Sequence, residues 1–598
     1  MRAPTIPWQV TGNHWLAIPC VHPADGAIYA MGVLHHASRA AIELAGSGDF
    51  VNAQGDPLLR PVLRVNGEVS ELSAEGIAWE RAMDWLPTFT CTVGSLVVRG
   101  TIFAPYGRDA DMAGAAYAFT LENRGATPTR VDLALDGVLG HRQQRVVSAR
   151  SFDDNHVVDA DGNETVVLEG STLPGPVALA IGADGPAEIT AQTEPSRDPR
   201  HFSIRRELEL APGSADHVVF YMAVGPERDG ARATLSVLKR RGWTSLLAAT
   251  RAALAALEQT TANDALDRLV NRNLVFAYFY AVGRGLDDAQ YYFLRTRVPW
   301  HNAGCTIRDW EALMWTLPAL QIADSILARE LLIRCCELHG YAPGQGVHYF
   351  DGTLFKPGFT VEGPAAFAIA LDRYLSESED PELVEEPVVQ DTLYLVAEEL
   401  AARRDEHVPL FGTELTLSGK TPAYPYTLHG NAAASRAFEI LRRLIDEDSV
   451  SELEDPEAIR AALRFHFAVE RADRSRLATS VNLAGGADND DDPSGSLLWL
   501  PLYGVLEADD PLYKRSVEAC EVEPQACGAL VLQIARLSGK DAEQVTEWLR
   551  RAALDSGVAA EFVDTAGQVV ANGGDAALAG LLAYMLWLAG RAEAFRAG

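Results

Sequence analysis

The first 240 residues alternate or cluster apolar side chains over short stretches, as strands do. The clearest stretches are VVRGTIFAP, AYAFTLENRG, RVDLALDGVL, ETVVLEG, HFSIRRELEL and DHVVFYMAVG. Gly, Asp, Asn and Pro separate them, and no helical period lies between them. Many short strands joined by turns predict an antiparallel β-sandwich over residues 1–240.

The pattern changes at Trp243, where SLLAATRAALAALEQ follows as a strongly helix-forming stretch. We interpret residues 241–262 as a linker helix between two domains. Beyond it, apolar residues recur with the helical period in twelve segments, which are 264–284, 307–321, 324–339, 361–376, 386–403, 427–446, 456–470, 495–505, 511–519, 524–537, 541–555 and 575–590. Alternately short and long loops join these segments, which predicts six helical hairpins. The expected fold class is therefore multidomain β + α, with an (α/α)6 barrel over residues 263–598.

The composition and charge restrict the possible functions of the protein more than its possible folds. The 598-residue chain is 48% hydrophobic and 22% charged, which is typical of globular proteins. Its net charge of −31 argues against nucleic acid or an anionic membrane surface as the main partner. The N-terminus lacks the charged and apolar parts of a signal peptide, and no apolar run is long enough for a membrane span. We therefore expect a cytoplasmic protein with a neutral substrate; its oligomeric state stays open, a homodimer included.

The sequence predicts no metal ion or other cofactor. The seven cysteines form no repeating framework, which indicates reduced thiols. Cys335 and Cys336 precede His339 closely, but adjacent cysteines on a helix point about 100° apart. No second ligand pair with metal-site spacing accompanies them. The acidic run Asp488–Asp492 does not follow the calcium-loop pattern, so we expect a solvated loop and a helix cap there.

The long loops of the helical region carry most of its Trp, Tyr, His, Asp and Gly residues. Binding residues concentrate on loops held by a rigid scaffold, so we expect these loops to share one face around a pocket. The first loop ends at Arg308 and Asp309, which would hydrogen-bond sugar hydroxyls while Trp300 and Trp310 offer ring faces. The alternative for Asp309 is a capping role, because a carboxylate in a first turn suits the helix dipole.

The second long loop adds a group of polar residues able to line a cleft, which are His348, Tyr349, Asp351, Lys356 and Glu362. Glu362 also stands where a helix is predicted to start. A role at that helix end explains this carboxylate equally well.

Glu414 lies in the third long loop among apolar and aromatic residues, with Tyr424 as a further candidate contact to substrate. A carboxyl group in such surroundings is expected to be desolvated, which raises its pKa. A raised pKa suits a general acid working near neutral pH. The alternative is an ordinary exposed glutamate.

Glu561 lies, like Glu414, in a non-helical stretch between two predicted helices. Two loop carboxylates from separate hairpins that face each other across a pocket form the arrangement that glycoside hydrolysis requires. Asp564 and Asp575 compete with Glu561 for this place. Asp575 is also a natural N-cap for the final helix.

Several passages resemble the six-hairpin glycosidases, most closely the glucoamylase-like enzymes of glycoside hydrolase family 15 and the bacterial glycogen-debranching-type glucosidases. The passages are TIRDWEALMWTLPALQIADSILARELLIRCCE, HYFDGTLFKPGFTVEGPAAFAIALDRYL, VPLFGTELTLSGKTPAYPYTLHGNAAASRAFEIL, SGSLLWLPLYGVLEADDPLYKRSVEACE and AAEFVDTAGQ. Two departures stand out. Thr413 stands where the family has Trp before its general acid, and Phe562 where it has Gln after its general base.

The resemblance implies an inverting, exo-acting glycoside hydrolase that cleaves a terminal glucosyl residue from an α-glucoside or oligosaccharide. It implies Glu414 as general acid, Glu561 as general base, and Arg308 with Asp309 as the anchor of the terminal sugar. In an inverting enzyme the two carboxyl groups stand roughly 6.5–9.5 Å apart, which leaves room for water. We expect the acid to be more buried than the base. A glycoside phosphorylase on the same scaffold and an inactive carbohydrate-binding protein stay open as alternatives.

Overall fold

A computed structural model describes residues 6–70, 72, 76–144, 149–151, 157–161, 165–171, 175–192, 200–261, 263–301, 303–445, 453–471, 474–520, 528–538 and 542–597. The chain divides into two compact units. The first contains residues up to Glu258, together with Val282–Tyr292 and Thr296–Cys305. The second contains Gln259–Ala281, Phe293–Arg295 and the chain from Thr306 onwards.

The first unit is built mainly from antiparallel strands. They are β1 (Gln9–Gly12), β2 (Ala17–Val21), β3 (Ala30–His35), β4 (Ala40–Ala45), β5 (Arg60–Val65), β6 (Glu68–Ser70), β7 (Ala78–Ala82), β8 (Leu86–Val93), β9 (Leu96–Phe103), β10 (Gly114–Asn123), β11 (Thr129–Gln144), β12 (Ala149–Ser151), β13 (Val157–Asp161), β14 (Thr165–Ser171), β15 (Pro176–Ala183), β16 (Glu188–Ala191), β17 (Arg200–Leu210) and β18 (Ala215–Gly225). An eight-stranded sheet has the order β13-β14-β15-β18-β10-β9-β8-β7. A ten-stranded sheet is organised around β11, which pairs with β4, β5, β12 and β17.

The two sheets share one apolar core. A single buried cluster takes Leu63 and Leu133 from the ten-stranded sheet, and Phe89 and Phe220 from the eight-stranded sheet. Strand β17 alternates buried and polar residues because one of its faces meets solvent. Strand β18 is buried on both faces from Val218 onwards. Helix α1 (Arg228–Arg241) covers its second face, and α2 (Trp243–Leu257) follows within the same unit.

The second unit is mainly helical. After α3 (Asp264–Tyr280), a π-helix (Glu311–Thr316) leads into α4 (Leu317–Ala323), and the next helices are α5 (Ser325–His339), α6 (Glu362–Glu377), α7 (Pro387–Ala402), α8 (Leu428–Leu444), α9 (Pro456–Phe467), a 3-10 helix (Leu497–Tyr503), α10 (Pro511–Cys520), α11 (Leu530–Ala535), α12 (Ala542–Arg551) and α13 (Ala576–Ala597). Two short strands, β19 (Val282–Arg284) and β20 (Tyr291–Phe293), lie in the stretch between α3 and the π-helix, and all of β19 belongs to the first unit. Further short strands accompany the helices of the second unit. They are β21 (Thr306–Ile307), β22 (Gln345–Tyr349), β23 (Leu354–Phe359), β24 (Tyr426–Thr427), β25 (Ala468–Arg471), β26 (Arg474–Leu477), β27 (Ser480–Val481), β28 (Ala487–Asp488), β29 (Gly528–Ala529), β30 (Ala560–Val563) and β31 (Val569–Gly573).

Burial separates inner from outer helices in this unit. Helix α6 is buried continuously from Glu362 to Leu371, and α8 from Leu428 to Ser435, as expected of helices surrounded by others. Helix α7 buries only a stripe at helical spacing that includes Val389, Leu393, Val396 and Leu400. Within the described residues, no helix combines the length and the apolar character that a bilayer crossing needs.

Each of the twelve segments predicted to be helical contains a helix, and the differences concern helix ends and helix type. Residues 524–527 of the segment predicted at 524–537 lie outside the described residues. Residues Val282–Arg284 and Ala468–Arg471 leave the helical path and form β19 and β25. The segment predicted at 495–505 contains a 3-10 helix, Leu497–Tyr503, with Pro501 inside it. Proline has no N–H and interrupts the backbone hydrogen-bond pattern there. The segment predicted at 307–321 begins as a π-helix, in which Leu317 N–H donates to the carbonyl of Ala312.

Candidate active site

A pocket of about 240 Å³ lies at the N-terminal ends of the inner helices α6 and α8. Its wall is formed by Glu362, by the loop before α8 with Thr416 and Lys420, by the first residues of α8 including His429, and by the acidic run Asp488–Asp492. We call it the acidic pocket. Carboxylates outnumber the basic groups in its lining, so it suits a neutral ligand with many hydroxyl donors.

Glu362 is held in place by His429. It begins α6, and its Oε1 lies 3.0 Å from Nδ1 of His429, while Nε2 of the same ring lies 3.2 Å from the hydroxyl of Tyr503. Trp310 packs edge-on against both rings. The second oxygen of Glu362 is buried and has no hydrogen-bond partner among the described residues. A buried acceptor that lines a pocket and lacks a donor is a place for a ligand hydroxyl.

Asp491 is the carboxylate of the acidic pocket with the most perturbed acidity. Its two oxygens accept hydrogen bonds from the Ser496 hydroxyl and, at 3.2 Å, from the Leu497 N–H. Burial raises the pKa of Asp491 to about 6, and these hydrogen bonds only partly oppose the rise. The prediction of a solvated acidic run is therefore wrong at this residue.

Asp492 ties two loops of the acidic pocket together. It accepts from Gly495 N–H and caps a short 3-10 turn, which confirms the predicted capping role in the run. Its oxygens also accept from the Thr416 hydroxyl and from Ser418 N–H, both at 3.2 Å. The loop before α8 is thus anchored to the acidic run from the opposite wall.

A buried group of charges, which we call the arginine network, lies on the same unit and consists of Arg295, Arg308, Glu311 and Asp575. Arg295 Nε donates to both oxygens of Asp575 at 2.9 Å, and its Nη1 donates to Glu311. Arg308 Nη1 donates to the same Glu311 oxygen at 3.1 Å. Burial alone would raise the pKa of Glu311, but the two guanidinium groups outweigh it and lower that pKa. The network is a closed set of ion pairs.

The π-helix places Glu311 between the two arginines. All six of its residues are buried, and Glu311 is its first. π-Helical turns occur frequently at functional sites, where they shift a side chain relative to the α-helical pattern.

Asp575 caps the final helix, as predicted, because its Oδ1 accepts from Leu578 N–H at 3.2 Å. Burial raises the pKa of Asp575 against the opposing effect of Arg295. Asp575 is fully buried within these contacts.

Glu561 lies at the edge of the arginine network, on β30. It is half-buried and accepts a hydrogen bond from the side-chain amide of Asn572 on β31. Its negative charge is close enough to Arg295 to help raise the pKa of that guanidinium. Its rival Asp564 instead closes the turn between β30 and β31, accepting from Ala566 and Gln568 N–H. Glu561 is therefore the freer of these carboxylates for chemistry.

The expectation that Glu414 is desolvated is wrong. Its side chain is 55% exposed, and it accepts hydrogen bonds from Phe359 N–H at 3.1 Å and from Arg403 Nη1 at 2.9 Å. These two donors lower the pKa of Glu414, with the Phe359 amide contributing most. A carboxylate in this state holds its proton poorly.

Asp309 points away from Arg308 and into the protein. Its Oδ2 accepts from Gly344 N–H at 2.9 Å, and its Oδ1 lies 3.4 Å from Nδ1 of His339 and 4.0 Å from Nδ1 of His348. The carboxylate is 3% exposed. Among the described residues, the Asp309 carboxylate hydrogen-bonds another segment of the chain and not its own helix. Asp309 still lies in the first helical turn, so its interaction with the helix dipole stays a prediction. Burial lowers the pKa of His348, against the pull of Asp309.

The other residues predicted to contact the substrate lie at different places in the structure. Trp300 is buried within the first unit, and Trp310 is 3% exposed beneath the acidic pocket. Tyr349 packs on Phe355, and Asp351 closes a turn by accepting from Thr353. Tyr424 lies against Gly486. Their roles in binding stay predictions.

Lys356 and Arg308 approach the same point of the loop before α8. A Cβ atom added to Gly419 would stand 2.7 Å from Arg308 Nη2 and 4.0 Å from Lys356 Nζ. Gly419 has φ +78, so it is suited to glycine in any case. Two cations therefore converge beside a loop that also lines the acidic pocket.

Four important residues were missed from the sequence. Glu311 follows Arg308 by three positions on one helix face, and this spacing was a usable signal. Asp491 was noticed, but only as part of an acidic run. Arg295 and His429 gave no signal, since their partners Asp575 and Glu362 are distant in the chain.

Comparison with known proteins was made by sequence and by structure. No protein-family model matches the sequence, and no curated protein matches it. A bacterial glucoamylase complexed with acarbose superposes with a TM-score of 0.66 at 12% identity, covering 99% of this chain and 94% of that one. The chain has a glucoamylase-like fold. A protein assigned as a kojibiose phosphorylase from the human microbiome superposes with a TM-score of 0.56 at 11% identity, covering 98% and 90% of the two chains. The resemblance to six-hairpin glycosidases is thus confirmed at the level of the fold.

Proposed function

We propose that the protein is an inverting, exo-acting glycoside hydrolase that removes a terminal glucosyl residue from an α-glucoside or oligosaccharide. In this proposal the inner and outer helices of the second unit form an (α/α)6 barrel, the first unit is a β-sandwich, and the acidic pocket binds the terminal sugar. The observation that carries the proposal is the buried, unpartnered oxygen of Glu362 in the wall of that pocket. A sugar hydroxyl would supply the missing donor.

The size of the acidic pocket supports action at a chain end. Its volume of about 240 Å³ is below the roughly 300–1,000 Å³ of pockets for drug-sized ligands. Such a volume suits one sugar ring better than a long segment of oligosaccharide. The glucoamylase that shares the fold was solved with acarbose, which is consistent with an oligosaccharide ligand here.

We propose Asp491 as the general acid. It lines the acidic pocket, and its pKa of about 6 keeps part of it protonated near neutral pH. Glu414, the acid expected from the sequence, is the competing candidate, because its loop also lines the pocket through Thr416 and Leu417. Its lowered pKa and exposure weigh against it.

We propose Glu561 as the general base that activates water. It is half-buried, it is oriented by Asn572, and it lies near the Arg295 guanidinium. Replacing Glu561 by Ala and adding azide tests this role. With a substrate that has a good leaving group, azide should partly restore turnover and give the inverted glycosyl azide. Failure of azide to restore turnover in a folded variant contradicts the assignment.

A glycoside phosphorylase is the second candidate, and one observation favours it. Arg308 and Lys356 converge at Gly419, and Lys420 lines the acidic pocket, so cations are available near a ligand. Phosphate would take the place of the activated water. The neighbouring fold of a kojibiose phosphorylase agrees with this alternative.

One experiment separates these candidates. The full chain is incubated with maltose, isomaltose, trehalose and aryl glycosides, with and without phosphate, and the products are followed by NMR. Phosphate-independent release of glucose, first as the anomer opposite to the substrate linkage, supports the inverting hydrolase. Glucose 1-phosphate formed only with phosphate supports the phosphorylase. Binding without turnover supports an inactive carbohydrate-binding protein.

A further inference from the structure

A second buried group of polar side chains consists of Asp309, His339 and His348, and we call it the trio. One ligand atom from each residue lies within 4.8 Å of the others. The three residues are 3%, 3% and 1% exposed. None of them lines the acidic pocket, so the trio is distinct from the proposed sugar site.

The polar atoms of the trio face one another without hydrogen bonds. Oδ1 of Asp309 and the Nδ1 atoms of both histidines have no hydrogen-bond partner in the described part of the chain. Asp309 Oδ1 and His339 Nδ1 are 3.4 Å apart, yet the N–H direction does not point along this line. Three buried polar atoms that converge without hydrogen bonds carry a large desolvation cost unless something is placed among them.

The spacing and chemistry of the trio suit a zinc-like ion. In a tetrahedral site, ligand atoms ~2.0–2.1 Å from zinc stand about 3.4 Å from each other. The observed separations of 3.4 Å and 4.0 Å from Asp309 Oδ1 to the Nδ1 atoms of His339 and His348 are close to this value. Two imidazoles and one carboxylate are ligands that zinc and related divalent transition ions accept.

Backbone structure holds the three ligands from three directions. His348 on β22 pairs with Ile307 on β21, two residues before Asp309, and His339 lies in the last turn of α5. The other oxygen of Asp309 accepts from Gly344 N–H, the kind of hydrogen bond that orients a metal-binding carboxylate. Gly344 has φ +81, and a Cβ there would stand 2.4 Å from Pro364, so only glycine brings this amide so close.

We propose that Asp309, His339 and His348 bind one divalent transition-metal ion of the zinc type. Three protein ligands leave the fourth tetrahedral position to water or another small ligand, and the burial of all three places the ion inside the fold. It would connect β21, α5 and β22, and thereby fix the segment that carries Arg308. The role is independent of which reaction the acidic pocket performs.

Metal uptake by the full chain tests this site. Protein stripped with EDTA is titrated with Zn²⁺ by calorimetry, with Mg²⁺ as the comparison ion. We expect about one Zn²⁺ per chain, a rise in Tm on zinc binding because zinc binds the folded state, and no comparable effect of Mg²⁺. The variants H348N and D309N should bind Zn²⁺ at least about 100-fold more weakly.

His429→Asn is the matched control. His429 is also buried and also lies beside a carboxylate, Glu362, but it is outside the trio. H429N should keep the full zinc stoichiometry, whatever it does to turnover. The proposed site is overturned if the wild-type chain binds no Zn²⁺, or if H348N and D309N bind it as the wild type does. The trio would then be only a buried contact between Asp309 and the two histidines.

Crystallography at the zinc absorption edge keeps the test decisive if the variants do not fold. An anomalous peak among the three side chains of the zinc-soaked wild-type protein supports the site. A peak only at other residues, or none, overturns it. Because neither readout depends on turnover, failure here is distinguishable from failure of the proposed glycosidase.

Discussion

The acidic pocket and the arginine network use carboxylates in opposite ways. In the network, Arg295 and Arg308 neutralise Glu311 and Asp575 through short, buried contacts. In the pocket, the described contacts of Glu362 and Asp491 include one histidine and no arginine. One acceptor is therefore left without a donor, and the pKa of Asp491 is raised to about 6. Charge balance makes a carboxylate inert, whereas a shortage of cations leaves it available for ligand binding and proton transfer.

Removing the carboxylate of Asp491 should have the largest effect on turnover. We expect D491N to lower kcat/KM by about 10²–10⁴-fold on substrates with poor leaving groups, because the proton donor is lost. The fold should persist, since the amide retains the shape of the side chain. D509N, at an exposed aspartate outside the pocket, is the control. A D491N enzyme with normal kcat/KM would move the acid role to Glu414.

The pH dependence of kcat/KM and of stability tests the proposed role of Asp491 further. A general acid works only while protonated, so kcat/KM should fall as pH rises through about 6, the pKa of Asp491. The raised pKa also means that the folded chain holds this proton more tightly than the unfolded chain. Its contribution to stability is therefore present at low pH and is lost as pH rises towards 6. D491N should flatten both profiles, measured by initial rates and by urea unfolding.

Breaking the arginine network should mainly affect stability. R295M leaves Glu311 and Asp575 buried without their shared cation, which costs about 3–5 kcal/mol in the free energy of unfolding. R551M, which breaks the exposed pair with Glu547, should leave the urea midpoint of unfolding nearly unchanged. If both variants unfold at the same urea concentration, the network is not the charge-balanced element described above.

The triple variant R295M/E311M/D575L is a second test of the network. It should recover much of the stability lost in R295M, because no unpaired carboxylate of the network remains buried, and Arg308, which loses Glu311 as a partner, is partly exposed. Urea unfolding of the two variants side by side gives the comparison. No recovery would show that packing, and not charge, caused the loss.

Tyr503→Phe is expected to have a smaller effect at the pocket. It removes the hydroxyl that lies 3.2 Å from His429 Nε2, which should cost about 1 kcal/mol of stability and raise KM several-fold by loosening Glu362. Y513F is matched, because Tyr513 is also buried and bonds the Leu498 carbonyl at 3.4 Å. It should lose similar stability with KM unchanged. Equal KM values for both variants would show that Tyr503 does not contribute to substrate binding.

Glu414→Gln should have the smallest effect of the series. The ion pair with Arg403 is partly exposed, so its loss should change stability by no more than about 1 kcal/mol. With Asp491 as the acid, kcat should change little on any substrate. A large fall in kcat, confined to poor leaving groups and accompanied by normal D491N kinetics, would restore the sequence-based assignment.

Local periodicity made the helices and many strands predictable, because burial repeats every 3.6 or 2 residues. The helix ends were harder to predict, because Val282–Arg284 and Ala468–Arg471 pair with other segments and form strands. The π-helix at Glu311–Thr316 was not predictable from spacing alone. It inserts one residue into a helix whose apolar pattern looks regular.

The candidate site was predicted at the level of loops but less well at the level of atoms. Apolar neighbours in sequence suggested a buried Glu414, yet Phe411 turns away to stack on Phe438, and Arg403 reaches Glu414 from eleven residues earlier. Arg295 and Asp575 are 280 residues apart, and a single sequence carries no sign of such a pairing. Residue spacing in a single sequence therefore does not reveal ion pairs between distant segments.

The π-helix has a consequence for how this chain tolerates length changes. Leu317 N–H bonds to Ala312, five residues back, so the backbone there carries one residue more than an α-helix needs. Deleting one residue between Ala312 and Thr316 would remove this extra residue and restore regular α-helical pitch, with the segments on either side kept in place. Arg308 lies before the π-helix, so its position relative to α4 should change little. Related chains with a one-residue gap at this place should therefore have a regular α-helix here, and a one-residue insertion at other points of the helix should be harder to accommodate.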